Sequence, residues 1–203
     1  MSKRGELLLA TSNKGKIQEY RALLRGLGLE IRSPAQLGLH LHVAEDEPTY
    51  AGNAAAKALA FARASGLVTL ADDSGLEVAA LGGEPGVRSS RYAGPGAGDR
   101  DRIDLLLSRL RGVPPDERAA RFVCVVAVAT PAGEVLTVEG ECRGVIAEAP
   151  RGEHGFGYDP VFYLPEYGKT MAELSPELKN RISHRGRAAR AARALLRRLA
   201  RQG

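Results

Sequence analysis

The sequence has no tryptophan, only two cysteines and no hydrophobic run of membrane-spanning length. Each shortage excludes something. Cys124 and Cys142 are too few for a disulfide framework and have no metal-ligand spacing. Both fall in strand-like segments flanking Pro131-Ala132-Gly133, nearly opposite each other by hairpin counting, and they read as buried free thiols of a reducing compartment. Aromatic residues make up 5% of the chain, and none interleaves the arginines between Arg185 and Arg201. A stacking platform for single-stranded nucleic acid is therefore not supported. Leu7-Leu8-Leu9 is too short for a signal-peptide core, and nothing else is apolar enough to cross a bilayer. A cytoplasmic location without a membrane partner is the expectation.

What is present is ordinary for a globular protein: 44% hydrophobic and 26% charged residues. A chain of 203 residues fits one large domain or a two-lobed one. The net charge is +5, and the stretch from Arg185 to Arg201 carries most of the excess. A basic balance points to an anionic partner.

Apolar periodicity predicts alternating strands and helices. Glu6 to Thr11 reads as a buried strand, followed by a polar turn and a helix through Ile17, Tyr20, Leu23, Leu24 and Leu27. A short strand at Leu29-Glu30-Ile31 comes next, then an irregular acidic stretch from Leu37 to Tyr50. An alanine-rich helix runs from Asn53 to Ser65, with Gly66 as its stop signal. Leu67 to Ala71 is a second main strand that ends in Asp72-Asp73-Ser74-Gly75, whose Ser-Gly pair reads as a turn, and Leu76-Glu77-Val78 continues it as an extended segment. Asp99 caps a helix to Leu110, and Ala119 to Thr130 with Glu134 to Arg143 form a hairpin. Val161 to Tyr163 is a short strand, and a last helix runs from Ser183 through Arg201.

Five places carry chemistry. Asp72 and Asp73 point to opposite faces if the strand runs through them, so one carboxylate faces a cleft and the other a partner. In Thr11-Ser12-Asn13-Lys14-Gly15-Lys16, Asn13 is an N-cap that puts two lysines into the first helical turn. That opposes the helix dipole unless an anion sits there. Asn53 and Lys57 share one helix face. Glu45, in the acidic loop, can share a Mg²⁺ with one of the aspartates. In Phe156-Gly157-Tyr158-Asp159, glycine lets the backbone approach a flat ligand and Phe156 offers a stacking face. Lys179 with Ser183-His184-Arg185 makes a second cationic helix start. The plain alternatives are a capped turn, solvated lysines, a solvent-facing helix and a core aromatic.

Taken in order, these motifs resemble the inosine triphosphate pyrophosphatase family of hydrolases for non-standard purine nucleotides. The resemblance runs from Leu8 to Ala189. It rests on Thr11 to Lys16, Asn53-Ala-Ala-Ala-Lys57-Ala, Leu70-Ala-Asp-Asp73-Ser74-Gly75-Leu, Pro85 to Gly94, Gly155-Phe156-Gly-Tyr-Asp159-Pro and Ile182-Ser-His184-Arg185-Gly186. It implies hydrolysis of ITP, dITP and XTP to monophosphate and pyrophosphate, with Mg²⁺ as cofactor and a homodimer as the assembly. It implies an α/β fold, an elongated central mixed β-sheet flanked by helices, as a single two-lobed domain over residues 1–203 with the active-site cleft between the lobes. By position, Thr11, Ser12, Asn13, Lys14, Gly15 and Lys16 resemble the phosphate-binding turn, with Lys57 a further phosphate ligand. Asp73 resembles the proton acceptor and a metal ligand, Glu45 the other metal carboxylate, and Ser74 a substrate contact. Phe156, Gly157, Tyr158, Asp159, Lys179, His184 and Arg185 resemble the base and nucleotide site. The acidic loop departs from the family, which usually has glycine where Glu47 stands and glutamate where Gly52 stands. Glu45, Asp46 and Glu47 therefore all remain candidates for the metal.

Two other readings remain. One is a pyrophosphatase for modified pyrimidine or methylated nucleotides. The other is a nucleic-acid binder using the basic C-terminal helix, whose arginines are equally the outer face of an amphipathic helix with Leu195, Leu196 and Leu199 inward.

Overall fold

Three consecutive leucines open the first strand, and Leu7, Leu8 and Leu9 are all buried. Such a run suits a strand covered on both faces. The computed structural model describes residues 5–199. The strands are β1 (Glu6–Leu9), β2 (Glu30–Arg32), β3 (Thr69–Val78), β4 (Ala119–Ala129), β5 (Val135–Ile146), β6 (Phe162–Leu164) and β7 (Lys169–Thr170). The helices are α1 (Lys14–Leu23), α2 (Tyr50–Ser65), α3 (Asp99–Arg109), α4 (Pro176–Ile182) and α5 (His184–Leu199). One seven-stranded sheet has the order β2-β1-β3-β4-β5-β6-β7. β1 is parallel to β2 and β3, whereas β5–β6 and β6–β7 are antiparallel, so the α/β sheet is mixed.

The chain divides into two compact units. The first takes the chain up to Asp73, Cys124–Gly140 and the chain from Arg185 on. Its core holds Leu7, Leu9, Tyr20, Leu24, Leu70, Cys124, Val126 and Val128, with Ala188, Ala189, Ala192 and Leu196 of α5. Alanines on that face let α5 pack closely. The Arg193 guanidinium donates to Leu23 O at 2.8 Å and Arg25 O at 2.9 Å, tying off the exposed carbonyls at the end of α1. Arg187, Arg190, Arg197 and Arg198 are exposed and Leu195 is half-buried. The expected continuation to Arg201, and the side chain of Leu199, lie outside the described residues. The second unit takes Ser74–Val123 and Glu141–His184. Leu76, Val78, Leu106, Phe122, Ile146, Phe162 and Met171 are in its core.

Several boundaries differ from expectation. α2 begins at Tyr50 rather than Asn53, because the Thr49 side chain accepts from Gly52 N and caps it. Asp99 is the first residue of α3 rather than its cap; Gly98 precedes it and its N–H donates to Asp101 at 2.7 Å. α4 was not anticipated, although Ser175 caps it and Pro176 starts it. Cys124 and Cys142 are buried thiols that form no disulfide, and they lie in different cores. Among the described residues, no helix is long and apolar enough to cross a membrane.

Candidate active site

The expected turn at Ser74-Gly75 is absent. β3 runs unbroken from Thr69 to Val78, Gly75 has no positive φ, and Leu76 and Val78 are fully buried. Core packing beyond the motif keeps the chain extended, and Ser89 Oγ accepts from Leu76 N at 2.8 Å. The alternation anticipated for a continuous strand therefore holds, and the two aspartates meet different neighbours.

Asp72 is 1% exposed. Its Oδ2 accepts Lys16 Nζ at 3.0 Å and Arg185 Nε at 3.3 Å, and the Cys124 thiol donates to it at 3.7 Å. Its Oδ1 is buried with no hydrogen-bond partner among the described residues. Burial pushes this carboxyl up, but Lys16, Arg185 and Lys57 together outweigh burial and hold it far below the usual carboxylate range. Asp73 behaves oppositely. Burial raises it, the hydrogen bond from Asn53 opposes the rise, and the Glu45 carboxylate adds to it, so it ends above the ordinary value.

Both cationic helix starts resolve onto Asp72. Asn13 caps α1, its Oδ1 accepting Lys16 N at 3.0 Å, and Thr11 Oγ1 accepts Asn13 N at 3.2 Å. The Lys16 ammonium then reaches Asp72. At the start of α5, Arg185 is paired with Asp72 and, at 2.7 Å, with Glu19 of α1. The anion that the sequence calls for at these two helix starts is thus supplied in part from inside the chain. Ser12, Asn13 and Lys14 are exposed; Thr11 and Gly15 are half-buried. The Arg185 guanidinium, expected at the base site, is committed to these two carboxylates.

α2 stitches the acidic loop to β3. Asn53 is 1% exposed and donates Nδ2 to Asp73 Oδ2 at 2.9 Å, while its Oδ1 accepts Glu47 N at 3.0 Å. One turn on, Lys57 pairs with Glu45 and donates to Asp72 O at 3.1 Å. This face is not solvated. Sequence spacing marks Asn53 beside Lys57, but its bond to Asp73 emerges only from the fold. Gly52 has a steric reason: a Cβ there would lie 2.8 Å from Glu47 Cβ. Of the three candidate acids, Glu45 is the one held by Lys57 and felt by Asp73, whereas Glu47 lies over Gly52.

The second unit carries its own cluster. Asp159 Oδ2 accepts Lys179 Nζ at 2.5 Å and Phe156 N at 2.9 Å. Lys179 Nζ stands 4.9 Å from the centre of the Phe156 ring. Gly155 (φ +81°) leaves room for this pair, since a Cβ there would lie 2.1 Å from Asp159 Oδ2. Asp159 and Lys179 are buried and Phe156 is half-buried. Tyr158 is a core residue whose hydroxyl donates to Ser89 O at 3.0 Å, and Gly157 N donates to Asp99 at 2.7 Å. His184 is buried and stacks on Phe122, ring centroids 4.6 Å apart. Ser74 is half-buried on β3.

The fold and these clusters define an α/β protein with a carboxylate–lysine centre built on one strand. The chain belongs to the Ham1 family, whose sequence model matches residues 7–195. It is 52% identical to the dITP/XTP pyrophosphatase of Desulforamulus reducens over 194 residues, 96% of each chain. It is 54% identical to the dITP/XTP pyrophosphatase of Geobacillus kaustophilus over 183 residues, 90% of each. The solved HAM1 protein of Coxiella burnetii superposes with a TM-score of 0.86 at 42% identity, covering 95% of this chain and 98% of that one.

Proposed function

We propose that this chain is a dITP/XTP pyrophosphatase, a hydrolase of nucleotide metabolism that converts dITP, XTP and ITP to the monophosphate and pyrophosphate. The observation that carries the reading is Asp73: a buried carboxyl raised above its ordinary value, fixed by Asn53 and neighboured by Glu45 and two lysines. The close relatives' names, dITP/XTP pyrophosphatase, support the substrate class.

The donor chemistry fits Mg²⁺. Among the described residues no three or more acidic, histidine or cysteine side chains converge to hold a metal alone. Glu45 and Asp73 offer hard carboxylate oxygens and leave room for phosphate and water, which suits this ion. Bound there, Mg²⁺ would neutralise charge on the triphosphate. Asp73 orients a water for attack on the α-phosphorus and accepts its proton. Lys16 and Lys57 stabilise phosphate oxygens, with the amides of Thr11 to Lys16 lining the turn. Ser74 follows Asp73 on the strand and offers its backbone, rather than its oppositely directed side chain, to the same substrate. Phe156 stacks on the purine, with its loop held by Gly157, Tyr158 and Asp159. Lys179 and His184 present donors to the 6-keto oxygen, and Arg185 acts from its seat on Asp72. A 6-amino group would confront donor with donor, a mismatch of about 1–3 kcal/mol per unpaired buried group. In this reading the chain is one two-lobed domain whose cleft receives the nucleotide, a cytoplasmic homodimer.

The test is pyrophosphate release from dITP, XTP, ITP, ATP, GTP, dTTP and UTP, with and without Mg²⁺, for the wild type and Asp73→Ala. The expected result is Mg²⁺-dependent preference for ITP, dITP and XTP over ATP, dTTP and UTP, with turnover lost in the variant. Wild-type turnover by Asp73→Ala, or equal hydrolysis of dTTP and dITP, would refute the reading.

A further inference from the structure

Lys57 sits where the site needs a positive charge before any ligand arrives. Its ammonium pairs with Glu45 and donates to the Asp72 carbonyl at 3.1 Å. The Asp72 and Asp73 carboxylates lie close enough to act on it electrostatically. Its side chain is 14% exposed, and it rises from an alanine-rich helix. Lys57 thus answers the Glu45 side of the centre in the ligand-free protein, as Lys16 and Arg185 answer Asp72.

That placement conflicts with metal binding. A divalent cation on Glu45 and Asp73 must compete with the ammonium for the Glu45 carboxylate, and the two cations repel each other. A triphosphate relieves both problems, because its oxygens are a stronger attractor for the ammonium than one carboxylate.

We propose that Lys57 is a resident stand-in for the metal: it holds Glu45 while the site is empty and moves to the phosphates when nucleotide binds. This rests on the reading of Glu45 and Asp73 as metal carboxylates. It has two consequences. The nucleotide-free protein binds divalent cations weakly, so metal and nucleotide bind with positive coupling. Neutralising Lys57 has opposite effects on the two ligands: it tightens the metal and weakens the phosphates. A lysine serving only as a phosphate ligand would not change metal affinity in the absence of nucleotide. One serving only to brace the acidic loop would, when removed, loosen the metal.

The experiment measures Mn²⁺ binding to the nucleotide-free protein by electron paramagnetic resonance and calorimetry, for the wild type, Lys57→Gln and Lys57→Arg. The glutamine can still donate a hydrogen bond to Glu45, which favours retention of the fold. Lys57→Gln should bind Mn²⁺ roughly tenfold tighter or more than the wild type, and Lys57→Arg should stay as weak as the wild type. A non-hydrolysable dITP analogue should tighten Mn²⁺ less in Lys57→Gln than in the wild type. Folded Lys57→Gln that binds Mn²⁺ no tighter than the wild type would overturn the proposal. A second readout needs no folded glutamine variant. In the ¹⁵N-lysine spectrum of the wild type, the Lys57 resonance, assigned by its loss in Lys57→Arg, should move when the analogue and Mg²⁺ are added together. An unmoved resonance would also overturn the proposal. The proposed function fails separately, if the wild type releases no pyrophosphate from dITP.

Discussion

Asp72→Asn keeps the shape of the side chain and removes one charge from a place where two cations have been drawn out of water. Asp72 is 1% exposed, and the Arg185 side chain is 3% exposed. Removing one partner of a buried ion pair leaves the other uncompensated, at a cost of about 3–5 kcal/mol. Glu19 still faces Arg185, and the Lys16 side chain is 16% exposed, so the low end applies. The expectation is a loss of about 3 kcal/mol, which lowers the melting temperature of a chain of this size by about 6–12 °C. The pH dependence adds a second constraint. The carboxyl is depressed in the folded protein, so the unfolded chain binds its proton first as pH falls. Its contribution is complete above the unfolded value of about 4 and drains below it. The gap between wild type and Asp72→Asn should therefore be constant from neutral pH down to about 5. Below about 4 it should narrow by up to about 1.4 kcal/mol per pH unit. Urea unfolding of both proteins at a series of pH values measures it. A variant as stable as the wild type at pH 7, or a gap that does not narrow in acid, would refute the charge argument.

Three further outcomes are expected. Gly52→Ala drives a Cβ to within 2.8 Å of Glu47 Cβ and must shift the acidic loop, costing about 1–3 kcal/mol; turnover of dITP should fall, and adding Glu47→Gly should restore most of it. Phe156→Ala removes the half-buried ring beneath Lys179, and KM for dITP should rise roughly tenfold with a smaller change in kcat, since stacking on a base contributes about 1–3 kcal/mol. Cys124 is fully buried, and its thiol is pushed up to about 12 by burial first and by Asp72 second; it should resist thiol reagents at pH 8 in the native protein, and both cysteines should react once the chain is unfolded in urea.

Much of the centre was legible because its elements obey local rules. The N-cap at Asn13, the shared face of Asn53 and Lys57, and the opposed faces of Asp72 and Asp73 follow from periods of 3.6 and 2. The chain has six lysines, and four of them, Lys14, Lys16, Lys57 and Lys179, fall in the motifs. In a sequence that otherwise uses arginine, that scarcity is itself a signal. What could not be read was which groups meet across long separations. Asp72 as the counter-ion of both helix starts joins residues 16, 72 and 185, and no local pattern encodes that. The false turn at Ser74-Gly75 came from correct turn chemistry overruled by burial of Leu76 and Val78. α4 was readable and missed: Ser175-Pro176-Glu177 has the cap, the proline and the acid of a helix start.

The unbroken course of β3 makes the site a matter of parity. Asp72 and Asp73 differ in environment only because one is an even and the other an odd step along the same strand. Pairing of Leu8 with Thr69 and of Leu9 with Leu70 fixes that count. A slip by one residue would turn both carboxylates to the opposite faces, setting one of them in the other's place and carrying the second away from both Asn53 and the Lys16–Arg185 pair. Substitutions within this segment therefore probe chemistry one residue at a time. Deletion of Ala71, which lies between the β1 pairing and Asp72, would turn both carboxylates to the wrong faces while leaving every charged group of the centre in the chain.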